Sequence, residues 1–404
     1  MDKISELPDA LLVKILSFVP TKVAVSTSIL SKRWDFVWML LPRLEFSDRY
    51  SSLAKSERLQ CFLDRNLPLH RAMVIESFCL KLGKHSVGSS SNLWVQVATS
   101  RHLRELEICV HSWENKYILS SSVYTCKSLL ILKLSGDILM DVPRMACLPS
   151  LKSLQLYDMR RVDDKSFQRL LSSCPVLEDL LVSTPYYDYR RDFTIIVPSL
   201  KRLSLYIPSE CHLNGYVIDT PSLKDFKVIC DHIDEVYIGD AHEILDLNSI
   251  FVSVTSVKRL EICSKVLYGN DFTLNQLKHL KLCVCREYSS DFLVQFLKDS
   301  PKLRELDLFM MDGHEYDRIH MDFWNQLSIV PECLISSLQI FNWSQYFGSP
   351  EERDIAVYIL QYARRLETAK ILDDSCDVPN LEMLKELTLS TRASTTCQLE
   401  FIED

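Results

Sequence analysis

One short pattern recurs through most of this chain and limits what it can fold into. An apolar residue is followed by two free positions, a second apolar residue, one free position and a third apolar residue. Copies lie at 103–108 (LRELEI), 129–134 (LLILKL), 151–156 (LKSLQL), 177–182 (LEDLLV), 200–205 (LKRLSL), 223–228 (LKDFKV), 257–262 (VKRLEI), 277–282 (LKHLKL) and 303–308 (LRELDL), with 75–80 (IESFCL) as an early variant. From Leu103 to Leu223 the copies start 26, 22, 26, 23 and 23 residues apart. Each copy predicts one short strand that buries its leucines on one side. No single unit can enclose a core, so neighbouring units must stack. The 34-residue step from Leu223 to Val257 predicts either a degenerate repeat or a loop, and 234–238 and 243–248 suit both.

The flanking residues support this reading. Proline precedes several copies (LPSL, SCPVL, VPSL, TPSL, DSPKL). It ends any preceding helix and sets up an extended segment. Between strands, Phe167, Leu170 and Leu171 share a helical face, as do Phe292, Leu293, Phe296 and Leu297. Asp163 or Asp164, and Ser289 or Ser290, are suited to cap those helices. Pattern and period resemble leucine-rich repeats. The resemblance implies an α/β solenoid, with parallel strands on a concave face and helices on a convex one.

Side chains alternate along a strand, so the third and fifth motif positions face outward on the concave side. They are Glu105 and Glu107, Lys133, Ser153 and Gln155, Arg202 and Ser204, Asp225 and Lys227, Arg259 and Glu261, His279 and Lys281, and Glu305 and Asp307. The face is acidic at its start, more basic in the middle and acidic again at Glu305. Candidate target-binding residues are Glu105, Glu107, Arg202, Lys227, Arg259, His279, Lys281, Glu305 and Asp307. A mixed-charge face of this kind suits recognition by complementarity.

Residues 1–46 read differently. Pro8 suits the first turn of a helix. Leu11, Leu12, Ile15, Leu16 and Val19 follow at helical spacing until Pro20. Thr21 can cap a second helix and Ser31 a third, which carries Trp34 and Trp38 on one face. Three short helices cannot bury this much apolar surface alone. The run LPDALLVKILSFVP…TSILSKRW…VW…LEF resembles the plant F-box. The match includes Leu7, Pro8, Leu11, Ile15, Leu16, Val19, Pro20, Leu30, Ser31, Arg33, Trp34 and Trp38. Val23 departs from it, where relatives often carry an acid. The resemblance implies that this module docks the Skp-type adaptor of a cullin–RING ubiquitin ligase. The adaptor-binding residues it points to are Leu7, Pro8, Leu11, Ile15, Leu16, Val19, Leu30 and Trp34.

The C-terminal part, 324–404, changes character. Ser349, Pro350 and Glu352 form a capping-box signature, and Ile355, Tyr358, Ile359 and Tyr362 make one helical face. LQIFNW (338–343) and LETAKI (366–371) keep a repeat-like strand pattern on either side. VPECL, SSL, NW, Glu351 with Glu352, and YIL…ARRL resemble the FBD domain of plant F-box proteins. A cap on the solenoid is expected here, and 47–323 is left for the repeats.

Composition narrows the functions. The net charge of −8 disfavours a general nucleic-acid binder. The 14 cysteines are scattered, with no zinc-like spacing, and read as reduced thiols of a cytoplasmic or nuclear protein. No apolar run reaches the roughly 18 residues a membrane span needs. Phosphate-loop, dinucleotide, serine-hydrolase and zinc-protease motifs are absent. No catalysis, cofactor or metal is therefore expected. YYDYRRD (186–192) reads as a loop with contact potential. The expected function is the substrate-recognition subunit of an SCF-type ligase, binding the adaptor through the F-box and a target protein through the repeats. Two alternatives are a ligand-assisted sensor using Arg202, Lys227, Arg259 and Lys281, and a binding scaffold outside any ligase.

Overall fold

The computed structural model describes residues 4, 6–49, 51–85, 89–112, 117–159, 163–184, 192–208, 215–231, 256–263, 274–285, 289–311, 329–373 and 387–403. Its contacts divide the chain into two units, Met1–Tyr186 and Tyr187–Asp404.

In the first unit the apolar pattern becomes a parallel ladder. β1 (Arg43–Ser47), β2 (Ser77–Leu82) and β3 (Glu105–Val110) pair in sequence. β4 (Tyr117–Ile118) stands outside this ladder and pairs with β6 (Ile138–Leu139). β5 (Ile131–Gly136) follows β3 directly, and β7 (Ser153–Tyr157) and β8 (Asp179–Ser183) continue. Each repeat strand opens on the third residue of its motif, and the backbone gives the reason. The first motif residue closes a tight turn: Leu129 N–H donates to Cys126 O, Leu151 to Leu148 O and Leu177 to Cys174 O. The next two N–H groups then converge on one carbonyl of the previous repeat, as Leu130 and Ile131 do on Arg104 O. Motif positions one, four and six point inward; Leu103, Leu106 and Ile108, like Leu129, Leu132 and Leu134, are fully buried. Each such side chain contributes about 1.5–3 kcal/mol of burial.

The second unit repeats the design. β9 (Asp192–Ile196) pairs with β11 (Gly215–Asp219) beside the main ladder. That ladder runs β10 (Arg202–Pro208), β12 (Asp225–Asp231), β13 (Arg259–Cys263), β14 (His279–Cys283), β15 (Glu305–Phe309), β16 (Ile340–Trp343), β17 (Thr368–Asp373) and β18 (Gln398–Glu403), all parallel. β12 pairs directly with β13, so the 34-residue step adds no strand between them. The segments 234–238 and 243–248, like Trp324 and most of YYDYRRD, lie outside the described residues.

Helix caps follow the expectation in part. Asp163 caps the helix Asp164–Ser172 by accepting from Ser166 N–H at 2.9 Å. Ser289 and Ser290 instead form the first turn of Ser289–Asp299. Thr21 is the first residue of its helix, not its cap, and its hydroxyl accepts from Glu45 N–H at 2.9 Å, on β1. The third N-terminal helix is a 3-10 turn, Trp34–Leu40, entered from Arg33 and not from Ser31.

The expected capping box is present. Glu352 N–H donates to Ser349 Oγ at 3.2 Å, and Ser349 N–H donates back to Glu352 Oε2 at 3.0 Å. Phe347 N–H also donates to Oε2. The helix Pro350–Tyr362 lies between β16 and β17 in the chain, so the C-terminal segment continues the ladder. Trp343 is fully buried there, edge-on to Tyr346 at 5.1 Å.

Two predictions follow from these local environments. Gly136 has φ 88°, and a Cβ there would lie 2.0 Å from Val110 O. Gly136→Ala should therefore cost on the order of 2 kcal/mol or more, measured as a lower melting temperature. Glu352 is fully buried, and that burial raises its carboxyl from 4.5 to about 7 despite the backbone donors. The folded chain thus keeps a proton that the unfolded chain releases near 4.5, so stability falls as pH rises between these values. Glu352→Gln keeps an acceptor and removes the titration. It should match the parent near pH 4.5 and exceed it by ~3 kcal/mol above pH 7; equal melting at both pH values would refute this assignment.

Candidate functional site

The N-terminal helices divide their apolar residues between two directions. α1 (Asp9–Leu16) and α2 (Thr21–Ser26) turn Leu12 and Ala24 fully inward. Val37 and Trp38 of the 3-10 turn are buried with them. Trp38 stacks near Phe62 at 5.4 Å and near His70 at 6.4 Å. Met39 O accepts from Arg71 and Ala72 N–H, and Pro42 O from Glu76 and Ser77 N–H. His70 Nδ1 lies against the same Met39 carbonyl. Burial, aided by the Arg101 charge, lowers the His70 pKa to about 4, so this imidazole is neutral near pH 7. The module is thereby bonded to the first strands as well as linked to them.

A second set of apolar side chains is left in the open. Leu11 is 47% exposed, Ile15 44%, Phe18 80%, Ile29 87% and Leu30 66%. Val19 and Val23 are exposed as well, Pro8 is exposed and Leu7 is half-buried. Leu11 and Ile15 stand one turn apart on the same side of α1. Leu16 and Trp34, expected among the contact residues, are only 3% and 5% exposed. They belong to the module's own core, where α1 and α2 pack against the 3-10 turn. Sequence reasoning passed over Phe18 and Ile29. Helical spacing alone does not separate the two sides of so small a bundle. Arg33 ties the module's entrance together through Leu7 O and through Asp9 Oδ1 at 3.1 Å.

The concave candidates do fall into rows. Strand register aligns Arg202, Asp225, Arg259, His279 and Glu305 in one row of the second unit. Ser204, Lys227, Glu261, Lys281 and Asp307 form the next row. Opposite charges stand on adjacent rungs, the arrangement that stabilises cross-strand pairs. Lys227 Nζ is 2.8 Å from Glu261 and Lys281 Nζ is 3.8 Å from the same carboxylate. Arg259 reaches Asp225 at 3.8 Å. Lys281 also sits over the Phe309 ring at 4.2 Å.

In the first unit, Glu105 pairs with Lys133 at 2.8 Å, while Lys81 joins Glu45 at 2.8 Å and Glu107 at 4.0 Å. The charge pattern seen along the sequence is therefore largely compensated between neighbouring strands. Of the cations suggested for a basic pocket, Lys227, Arg259 and Lys281 are engaged this way.

His279 sits at a charged crossing. Its Nε2 lies 2.7 Å from Asp307 Oδ2 and its Nδ1 3.5 Å from Glu305. Asn342 donates to Asp307 Oδ1 at 2.7 Å. Burial disfavours the imidazolium, but the hydrogen bond and charge of Asp307, with Glu305, outweigh it and raise the His279 pKa. The same donors hold the Asp307 carboxyl below its usual range against its own burial.

The fold also joins cysteines that sequence spacing kept apart. Cys263 and Cys283 are register partners, and Cys263 Sγ is 3.5 Å from Cys285 Sγ. All three are buried. Hydrogen bonding of the Cys283 S–H with Cys263 and Cys285, together with burial, pushes this thiol far up, so it is a protonated part of the core.

Comparison with known proteins gives three family matches. The F-box domain matches residues 4–42, the LRR repeats described for FBD-associated F-box protein At5g56370 match 91–245, and the FBD matches 326–371. FBD-associated F-box protein At4g10400 of Arabidopsis thaliana is 53% identical over 416 residues, covering 99% of this chain and 100% of its own. FBD-associated F-box protein At5g38590 from the same plant is 52% identical, covering 96% and 98%. Putative F-box/FBD/LRR-repeat protein At4g00315, also of Arabidopsis thaliana, is 41% identical over 99% and 100%. With an F-box at its start, stacked leucine-rich strands through its middle and an FBD segment continuing the ladder, the chain belongs to the family of FBD-associated F-box proteins with leucine-rich repeats.

Proposed function

We propose that this protein is the substrate-recognition subunit of an SCF-type cullin–RING ubiquitin ligase. Its F-box docks a Skp-type adaptor, and its repeats hold a target protein. The observation that carries this reading is the open apolar set on the first helices: Leu11, Ile15, Phe18, Val19, Ile29 and Leu30. A soluble surface seldom keeps so many large apolar side chains together without a partner. Leu7 and Pro8 border this set. Leu16 and Trp34 support it from beneath.

The chain supplies position and orientation, while ubiquitin transfer takes place on other subunits. Residues 1–46 serve as the docking module, 47–323 as the target-binding array and 324–404 as its terminal part. The site of action is the cytoplasm or nucleus. Among the described residues no helix is long and apolar enough to cross a membrane. The ligand-assisted alternative finds less support, since Lys227, Arg259 and Lys281 are already paired with carboxylates.

The test is a pull-down with purified Skp-type adaptor. Leu11→Asp/Ile15→Asp places two charges in the apolar contact and should weaken binding on the order of 100-fold or more. Its circular dichroism and melting should stay close to the parent, because both side chains are already exposed. Leu12→Asp, by contrast, puts a charge into the core and should unfold the module. Undiminished adaptor binding by the folded double variant would sink the assigned face.

A further inference from the structure

A row of cations lies just ahead of the strands in the second unit. Lys201, Lys224, Lys258, Lys278 and Arg304 each occupy the second motif position of successive repeats. The backbone aligns them rung by rung. Lys224 N–H donates to Lys201 O, Lys258 to Lys224 O, Lys278 to Lys258 O and Arg304 to Lys278 O, at 2.8–2.9 Å. Lys224, Lys258, Lys278 and Arg304 are all exposed. Among the described residues no carboxylate lies within ion-pair distance of these four, in contrast to the paired cations of the neighbouring rows. They border an open cavity of about 500 Å³. Its two acids, Asp225 and Glu305, are held by Arg259 and His279. Among the described residues, a protein of net charge −8 thus carries four adjacent cations with no carboxylate partner, at the start of the strands of its second unit.

We infer that this row is the docking surface for an acidic, extended segment of a target protein, rich in aspartate or glutamate. The inference rests on the reading of the repeats as a target-binding array. Strands stand about 4.8 Å apart, so four rungs span about 14 Å. An extended chain advances about 6.8 Å every two residues, so carboxylates at alternate positions over five residues also span about 14 Å. Charge spread along a chain matches charge spread along the rungs. One phosphate would engage one or two rungs and leave the others unused. Three of the four cations are lysines, which act as point charges on flexible stems and need no planar partner.

The test uses the full chain and a fluorescein-labelled peptide with glutamate at every second position, followed by anisotropy at low ionic strength. Two comparison peptides carry glutamine at those positions, one of them with a single phosphoserine. The glutamate peptide should bind at least tenfold more tightly than either, and its affinity should fall with added salt. Lys224→Glu/Lys258→Glu/Lys278→Glu should weaken binding at least tenfold. Lys55→Glu/Lys127→Glu/Lys165→Glu changes the net charge equally at exposed sites elsewhere and should weaken it no more than about threefold. Should the row-reversed chain not fold, Lys224→Gln/Lys258→Gln/Lys278→Gln removes the charge without adding acids and should also lose binding. Equal losses in the two charge-reversed triples, or preference for the phosphoserine or glutamine peptide, would overturn the inference. The assay contains no adaptor, and Leu11→Asp/Ile15→Asp should bind the peptide like the parent. Failure of the ligase reading is therefore seen separately from failure of the row.

Discussion

No repeat of this chain can shield its own leucines. Three inward residues per copy need neighbours above and below, and parallel backbone pairing brings those neighbours to a fixed distance. A turn bond at the first leucine and two N–H groups converging on one carbonyl set the register at almost every rung. Once the inward side chains are fixed, the outward ones have no freedom of row. Function has to be built from what the register places side by side.

That rule explains the electrostatics. Residues at the third and fifth motif positions meet their counterparts on the next strand, and many of those counterparts carry the opposite charge. Lys227, Glu261 and Lys281 form one such group; His279, Glu305 and Asp307 form another. Exposed pairs of this kind add little stability. They do reduce the field of the face, so a partner meets a compensated surface. Among the described residues, the second motif position of four successive repeats escapes compensation because its neighbours there are also basic. Lys224, Lys258, Lys278 and Arg304 all stand there.

The F-box depends on the same ladder. β1 begins at Arg43, so the docking module hands its chain straight to the first rung. Thr21 then bonds it to that rung, and the Met39 and Pro42 carbonyls bond it to the segment that leads into the second. An adaptor bound to Leu11 and Ile15 would hold the first repeats with little slack. Under the function proposed above, such a joint would preserve orientation better than a flexible linker.

Much of this architecture is legible in the sequence, because hydrophobic spacing reports directly on burial. The motif gives the repeat strands from Ser77 to Phe309 and those around Phe341 and Ala369, while Ser349 and Glu352 give their helix cap. β18, β9 and the small pair β4–β6 carry no complete motif, and only pairing partners distant in sequence define them. Which F-box residues face out was likewise hidden. Leu11 and Leu12, or Ile15 and Leu16, are alike as side chains, and the packing of α1 against the 3-10 turn is what sends one of each pair inward. The sequence by itself determined the repeat, the docking module and the polarity of each rung, since these depend on residue type and local spacing. Only the tertiary structure decided which charges cancel, which remain uncompensated and which leucines stay open, because those outcomes depend on neighbours that lie tens of residues away along the chain.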